Sequence, residues 1–498
     1  MLVVENPDRF AIRLTEQISF RTSVSLRSRN PNAPRTSTTT RRFQIWNLGY
    51  PGTCLPTSPC GLNVAAQTQT MTNLTARDYR TLSLATLGGL LEFYDFIIFV
   101  FFANTIGELF FPPEISDWLR QFQTFGIFAA GYLARPLGGV VMAHAGDLRG
   151  RKQMFTLSIF LMALPTLGIG LLPTYSKLGF WAPVLLLLLR ILQGVAVGGE
   201  VPGAWVFVSE HVHPSHAGMA CGILTAGLTG GILLGSLVAT GLSMVMTHGQ
   251  LTAYGWRLPF LLGGAFGLLS MYLRRLLAET PVFEELKARR ALAAETPLKA
   301  VLRDYRGAVV LSGLLTWMLS AAIVVVILMT PALLEKMYGV AADVVLRANS
   351  LAALGLTAGC VLAGRLTDRF GPGQVLLVGC PLLGGAAYLL FAAATLDPWL
   401  TTFLYTLAGL TTGVVAVVPY VMITMFPPKI RFSGISFSYN LAYAVFGGLT
   451  PIAVAWLLRF DRLAPAHYVG TLCLLGTAIG VFLIVQGSTY KFERRSIV

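Results

Sequence analysis

Twelve stretches of this 498-residue chain are each long and apolar enough to cross a lipid bilayer, and that constrains the fold more than any other feature. A hydrocarbon core about 30 Å thick takes about 20 apolar residues of helix. Applied along the sequence, that requirement places spans near 81–103, 121–144, 153–172, 180–208, 217–246 and 257–277, and then near 307–334, 344–365, 375–395, 398–425, 433–458 and 466–486. Lipid offers no partners to backbone polar groups, so a crossing chain must be helical or a closed barrel. The alternating strands of about ten residues that a barrel needs are absent. The expected fold is an all-α membrane protein with twelve transmembrane helices in two six-helix bundles. Composition agrees, because only 12% of residues are charged against about a quarter in soluble domains.

The divider between the sixth and seventh spans, "RRLLAETPVFEELKARRALAAETPLKAVLRDYR", holds eight Lys/Arg. It reads as a cytoplasmic linker with an amphipathic helix. The domain expectation is therefore an N-terminal bundle over 71–278, a linker over 279–306, a C-terminal bundle over 307–490 and a cytoplasmic tail over 491–498. With both ends of that unit inside, twenty Lys/Arg fall on the cytoplasmic side and seven outside. Basic residues collect in cytoplasmic loops, so this orientation is expected. Residues 1–70 differ from the rest: eight arginines, no lysine, three acids and no apolar run. They are expected to be a disordered extension or to lie upstream of a true start at Met71; an organellar transit sequence is the third reading.

The loops repeat as well as the spans. "AHAGDLRGRK" (143–152) follows the second span and "GRLTDRFGPG" (364–373) the eighth. Duplicated halves with a site between them are the usual build of secondary transporters. Specific pieces then accumulate: "LEFYDF", "LARPLGG", "GDLRGRK", "RILQGVAVGGE", "GWRLPFLLGG", "AETPVFEEL", "IRFSG" and "YNLAYAVFGGLTP". With these, residues 75–490 resemble the major facilitator superfamily, and within it the metabolite:proton symporter family. The resemblance implies the major facilitator fold and proton-coupled uptake of a small polar solute such as citrate, another carboxylate or a betaine.

It also implies a cytoplasmic gate built from Asp147, Arg151, Lys152, Glu210, Asp368 and Arg369. An aspartate at one helix end, with arginines near it, can pair with a neighbouring helix end. Here the chain departs from the family: Ala143 stands for a glycine, Leu148 for a basic residue, Ala217 for an arginine, and Pro372–Gly373 for a basic pair. The C-half latch is expected to be weak. The competing reading, that these charges only fix topology, is the less favoured one.

Five ionisable residues lie inside N-half spans: Glu92, Asp95, Arg135, Arg190 and Glu200. Each costs about 2.5–3.5 kcal/mol at a helix centre, so each should be paired or line a watery cavity. Counting 1.5 Å per residue gives an inner layer of Glu92, Arg135 and Glu200 and an outer pair of Asp95 and Arg190. Arg190 lies twenty residues before Glu210, a spacing similar to that of proton-coupled sugar porters of the same superfamily, and this likeness implies Asp95 as the proton site and Arg190 as its modulator, with Glu92 the second candidate. A static charge cluster joining spans one, two and four is the competing reading. Arg135 and Arg190 suit a carboxylate, which guanidinium grips at two points. Glu200, Tyr439, Asn440 and Tyr443 complete the expected substrate set, although the last three serve equally as helix–helix bonds.

Other classes find little support. The six cysteines are scattered, and neither they nor the histidines show metal-site spacing. His144, His211, His213 and His216 cluster at cytoplasmic helix ends and read as solvated loop residues, with a metal site or a pH-sensing role the less favoured readings. "GVAVGG" has no strand and no GK[ST] ending, so it is not a phosphate loop. The net charge of +14 has no soluble basic domain to carry nucleic-acid binding. No nucleophile–base set points to an enzyme, and no cofactor or metal is expected. The expected partners are the small-molecule substrate, protons and the lipid bilayer, for a monomer in a bacterial inner membrane. A betaine or amino-acid osmolyte importer is the alternative, disfavoured by the short tail "YKFERRSIV" where osmolyte members carry a coiled coil. A non-transporting membrane sensor is the alternative of another class.

Overall fold

The computed structural model describes residues 75–275, 277–288, 297–393 and 397–495; the expected extension over 1–70 lies outside them. Among the described residues eleven helices are long and apolar enough to cross a membrane, and a bent pair supplies a twelfth. The first six spans are Asp78–Phe101, Phe122–Leu148, Lys152–Leu171, Trp181–His211, Pro214–Val245 and the pair His248–Gly255 with Arg257–Leu273, bent by 44°. The last six are Arg306–Glu335, Val344–Phe370, Pro372–Ala393, Pro398–Met425, Arg431–Leu457 and Ala464–Gln486. Each overlaps its sequence expectation. The chain is a multi-pass membrane protein.

Local chemistry sets several ends. Thr75 opens the first span as a capping box, its hydroxyl accepting the Asp78 amide while the Asp78 carboxylate accepts the Thr75 amide at 2.8 Å. The break in span six follows a π-helical turn, Leu251–Gly255. Just past it, Arg257 donates to the Gly170 and Leu172 carbonyls at 2.8 and 2.9 Å. Those are last-turn acceptors of span three, which would otherwise lack partners. The motif "GWRLPF" thus fastens span six to span three.

The repeated loops share a backbone device. Gly150, after span two, has φ +125°, and Gly371, after span eight, has φ +89°. Side chains rarely tolerate those angles, so glycine is needed at both turns. Pro372 then opens span nine, where a missing amide costs nothing. The family's basic pair is replaced there by a helix start.

Spans two and four cross in backbone contact. A Cβ at Gly138, Gly194 or Gly198 would meet the carbonyl of Val195, Gly131 or Arg135 in turn. The glycines of span five divide by face. Gly218 and Gly222 lie on span eight, while Gly227 and Gly231 lie on span one. Spans one to six meet spans seven to twelve along two seams, five against eight and two against eleven.

Candidate functional site

The seams are tied at the end that bears the linker. The Asp147 carboxylate, at the foot of span two, accepts the Ser433 amide in the first turn of span eleven at 2.9 Å. In the other seam Asp368, at the foot of span eight, accepts the amides of Gly218 and Met219 in the first turn of span five, both at 2.7 Å. Each aspartate therefore caps a helix N-terminus across a seam, where free N–H groups and the helix dipole favour a carboxylate. An ion pair joins Glu210 of span four to Arg431 of span eleven at 2.9 Å.

The expected weakness of the second latch is corrected by these bonds. Its donors are backbone amides, so Ala217 in place of an arginine removes nothing that Asp368 uses. Two members of the expected gate do not cross a seam. The Lys152 amide donates to both Glu279 oxygens at 3.2 Å and its ammonium to the Arg275 carbonyl at 3.5 Å, which ties span three to the segment after span six. Arg369 is exposed and lies over the ring of its neighbour Phe370 at 5.2 Å. The Arg151 side chain lies outside the described residues.

Midway along the spans, the five ionisable residues are all buried. Asp95 has no hydrogen-bond partner on either oxygen among the described residues. It fits against span six, where a Cβ at Gly263 would collide with its Oδ1 and one at Gly267 would lie 3.6 Å from its Oδ2. Glu92, one turn away on the same face, accepts from Ser270 of span six at 3.1 Å.

The expected Asp95–Arg190 pair is not formed. Arg190 donates to the Phe96 carbonyl at 3.4 Å and to Gln193 Oε1 at 2.7 Å. Its guanidinium lies over the rings of Phe99, Phe96 and Phe128 at 4.4, 4.7 and 5.2 Å. Phe96 follows Asp95 by one residue, which on a helix is about 100° of rotation. The aspartate therefore turns to span six while the arginine packs on the aromatic face. From Arg190 a polar chain runs to span three, where Gln193 Nε2 donates to Thr166 Oγ1 at 2.7 Å and that hydroxyl donates to the Met162 carbonyl at 2.9 Å, so the chain stops short of Asp95. The Thr166 methyl lies 3.0 Å from the same Cβ position at Gly263 that Asp95 Oδ1 crowds.

Arg135 does not join Glu92 and Glu200 as the depth count expected. Its Nε donates to Asn440 Oδ1 of span eleven at 3.3 Å. Its guanidinium lies 4.3, 5.3 and 5.7 Å from the rings of Tyr443, Tyr439 and Tyr132. Its Nη2 has no hydrogen-bond partner among the described residues. The aromatic faces supply cation–π attraction where a carboxylate was expected. Trp205 packs edge-on to Tyr439 at 5.0 Å, and Tyr132 stacks on Tyr443 at 5.5 Å. Tyr443 begins a π-helical turn, Tyr443–Gly447, a feature frequent at functional sites.

Asn440 serves both seam and site. Its amide donates to the Gly198 carbonyl, and Ser436 donates to Gly139 and Gly198 carbonyls at 3.0 and 3.3 Å. Glu200 is buried two residues beyond Gly198. Sequence reasoning missed Tyr132, Thr166, Gln193, Trp205, Arg431, Ser433 and Ser436. A signal existed for three: Gln193 sits three residues after Arg190, on its face, and Arg431 and Ser433 both lie within the quoted "IRFSG".

The profile of the Major Facilitator Superfamily matches residues 86–451. A putative proline/betaine transporter of Staphylococcus aureus (strain COL) is 33% identical over 425 residues, covering 81% of this chain and 88% of that protein. The citrate-proton symporter of Klebsiella pneumoniae is 29% identical over 448 residues, covering 86% and 97%. Among solved structures, the proton:xylose symporter XylE aligns with a TM-score of 0.67 at 18% identity, over 80% of this chain and 94% of that one. That last likeness speaks for the fold alone. The family match over most of the chain, the 33% identical relative and the shared helical architecture together place the protein in the Major Facilitator Superfamily.

Proposed function

We propose that the protein is a proton-coupled secondary transporter that imports a small polar metabolite bearing a carboxylate, by alternating access of two bundles, 71–278 and 307–490. The observation that carries the reading is Asp95, buried with neither oxygen hydrogen-bonded among the described residues. A carboxylate held that way is far more expensive than the neutral carboxylic acid. Protonation and release at Asp95 would accompany the tilt of one bundle against the other. Glu92 is the second proton candidate. Arg190 modulates Asp95 through Gln193 and Thr166. Arg135, Asn440, Tyr439, Tyr443 and Glu200 form the substrate set, with the open Nη2 of Arg135 as carboxylate anchor.

The linker side is read as cytoplasmic, with both ends of the bundle unit on the cytoplasmic face of a bacterial inner membrane. The bonds of Asp147, Asp368 and Glu210 are then the closed cytoplasmic gate, and the protein works as a monomer.

A second reading is a betaine-type zwitterion. The rings of Tyr132, Trp205, Tyr439 and Tyr443 beside one guanidinium supply what an ammonium needs as well as what its carboxylate needs. Relatives named for both substrate classes match over most of their length, so the short tail does not separate the two. Uptake by proteoliposomes of citrate, dicarboxylates, betaine and proline, with and without an inward proton gradient, tests both. Gradient-stimulated uptake of one class identifies it, and no gradient-stimulated uptake of any would refute the transport reading.

A further inference from the structure

The transport reading leaves unused a crevice of about 660 Å³ at the linker end of the bundles. It lies between span two, the start of span seven and the linker helix Pro297–Asp304. That helix rests on spans two, seven and eleven and buries Val301 completely. It therefore touches both helices that the Asp147–Ser433 bond joins.

The lining has two characters. Val140, Leu298 and Leu302 form an apolar side, and Leu302 is 42% exposed. The rim is basic, with His144, Lys299, Arg303 and Arg306, and no acidic side chain among the described residues lines it. Asp304 beside it accepts from Arg303 at 3.0 Å and so offsets one charge. Arg306 Nε donates to the Leu302 carbonyl at 2.9 Å, and Lys299 is exposed. Below the rim, exposed Leu133, Leu137 and Val141 run down span two at four-residue spacing, one helical face.

We propose that this crevice binds an anionic glycerophospholipid, its phosphate on Lys299, Arg303 and Arg306 and one acyl chain along Val141, Leu137 and Leu133. The basic rim selects negative charge, and each Lys/Arg near a bilayer surface contributes about 1 kcal/mol toward an anionic lipid. The apolar strip leading away from it selects a lipid over a soluble phosphate. A lipid seated there braces the linker helix against span two, next to the Asp147 closure. The site depends on the chain spanning a membrane and not on any substrate, so it stands or falls separately from the transport reading.

Native mass spectrometry of the full chain, offered phosphatidylglycerol and phosphatidylcholine of identical chains, tests it. The wild type should retain phosphatidylglycerol about thirtyfold more strongly, for the two basic charges that Asp304 leaves uncompensated. Lys299→Gln/Arg303→Gln/Arg306→Gln should abolish that preference, and the exposed single change Lys299→Gln should reduce it. A control removing three other linker-side charges, Lys287→Gln/Arg365→Gln/Lys429→Gln, should keep it. Glycerol phosphate in large excess should not displace the lipid. Equal retention of the two lipids by wild type, an undiminished preference in the triple and single variants, loss of preference in the control, or displacement by glycerol phosphate would each overturn the proposal.

Discussion

Arg135 of span two donates from Nε to Asn440 Oδ1 of span eleven, 3.3 Å away, across a seam that spans two and eleven form. A guanidinium and an amide that hold the seam together in one state are well placed to hold a solute between them in another. On the proposed reading, a substrate carboxylate takes up the unfilled Nη2 and competes with the tyrosine rings for the charge.

Arg135→Lys keeps the charge but loses the two-point fork. The account expects KM for the transported solute to rise roughly ten- to a hundredfold, which matches the 1.5–3 kcal/mol of a hydrogen bond to a charged group. Concentration-dependent uptake in proteoliposomes measures it. Unchanged KM would take Arg135 out of the substrate set.

Gln193→Ala removes the 2.7 Å acceptor of Arg190 and the donor to Thr166. A buried charged donor losing its acceptor costs about 1–3 kcal/mol or more, so the purified variant should melt earlier. If the polar chain tunes Asp95, the pH profile of uptake should also shift, which a packing defect alone would not produce. Gln193→Glu restores an acceptor and should recover the melting temperature.

Asp368→Asn weakens the caps on Gly218 and Met219, and Asp147→Asn the cap on Ser433. Loss of a cap costs about 0.5–2 kcal/mol. Hydrogen exchange should accelerate roughly three- to thirtyfold at the first turn of span five in one variant and of span eleven in the other. Exchange unchanged at both turns would show that the aspartates do not hold the linker side shut.

All twelve spans are legible in the sequence, because length and apolarity are properties of the residues themselves. Burial of Glu92, Asp95, Arg135, Arg190 and Glu200 is legible for the same reason: charges inside such runs have nowhere else to go. Their partners are not. Asp95 and Arg190 lie at similar depth, yet they turn to different faces, and depth counting does not register the rotation of about 100° between neighbouring residues. The Asp368 latch looks weak in the sequence because Ala217 offers no side-chain donor, whereas the donors are backbone amides that any sequence supplies. Nor does periodicity foretell that Gly263 leaves room for the Asp95 carboxyl, or that a π-helical turn begins at Tyr443.

Asp95→Asn tests the central claim most directly, since it keeps the shape of the buried side chain and removes only its ability to exchange a proton. Wild type and variant, reconstituted side by side, should both exchange internal for external solute, while only the wild type accumulates solute against its gradient when the outside is made acid. Uphill, acid-driven accumulation by Asp95→Asn at the wild-type level would contradict the account.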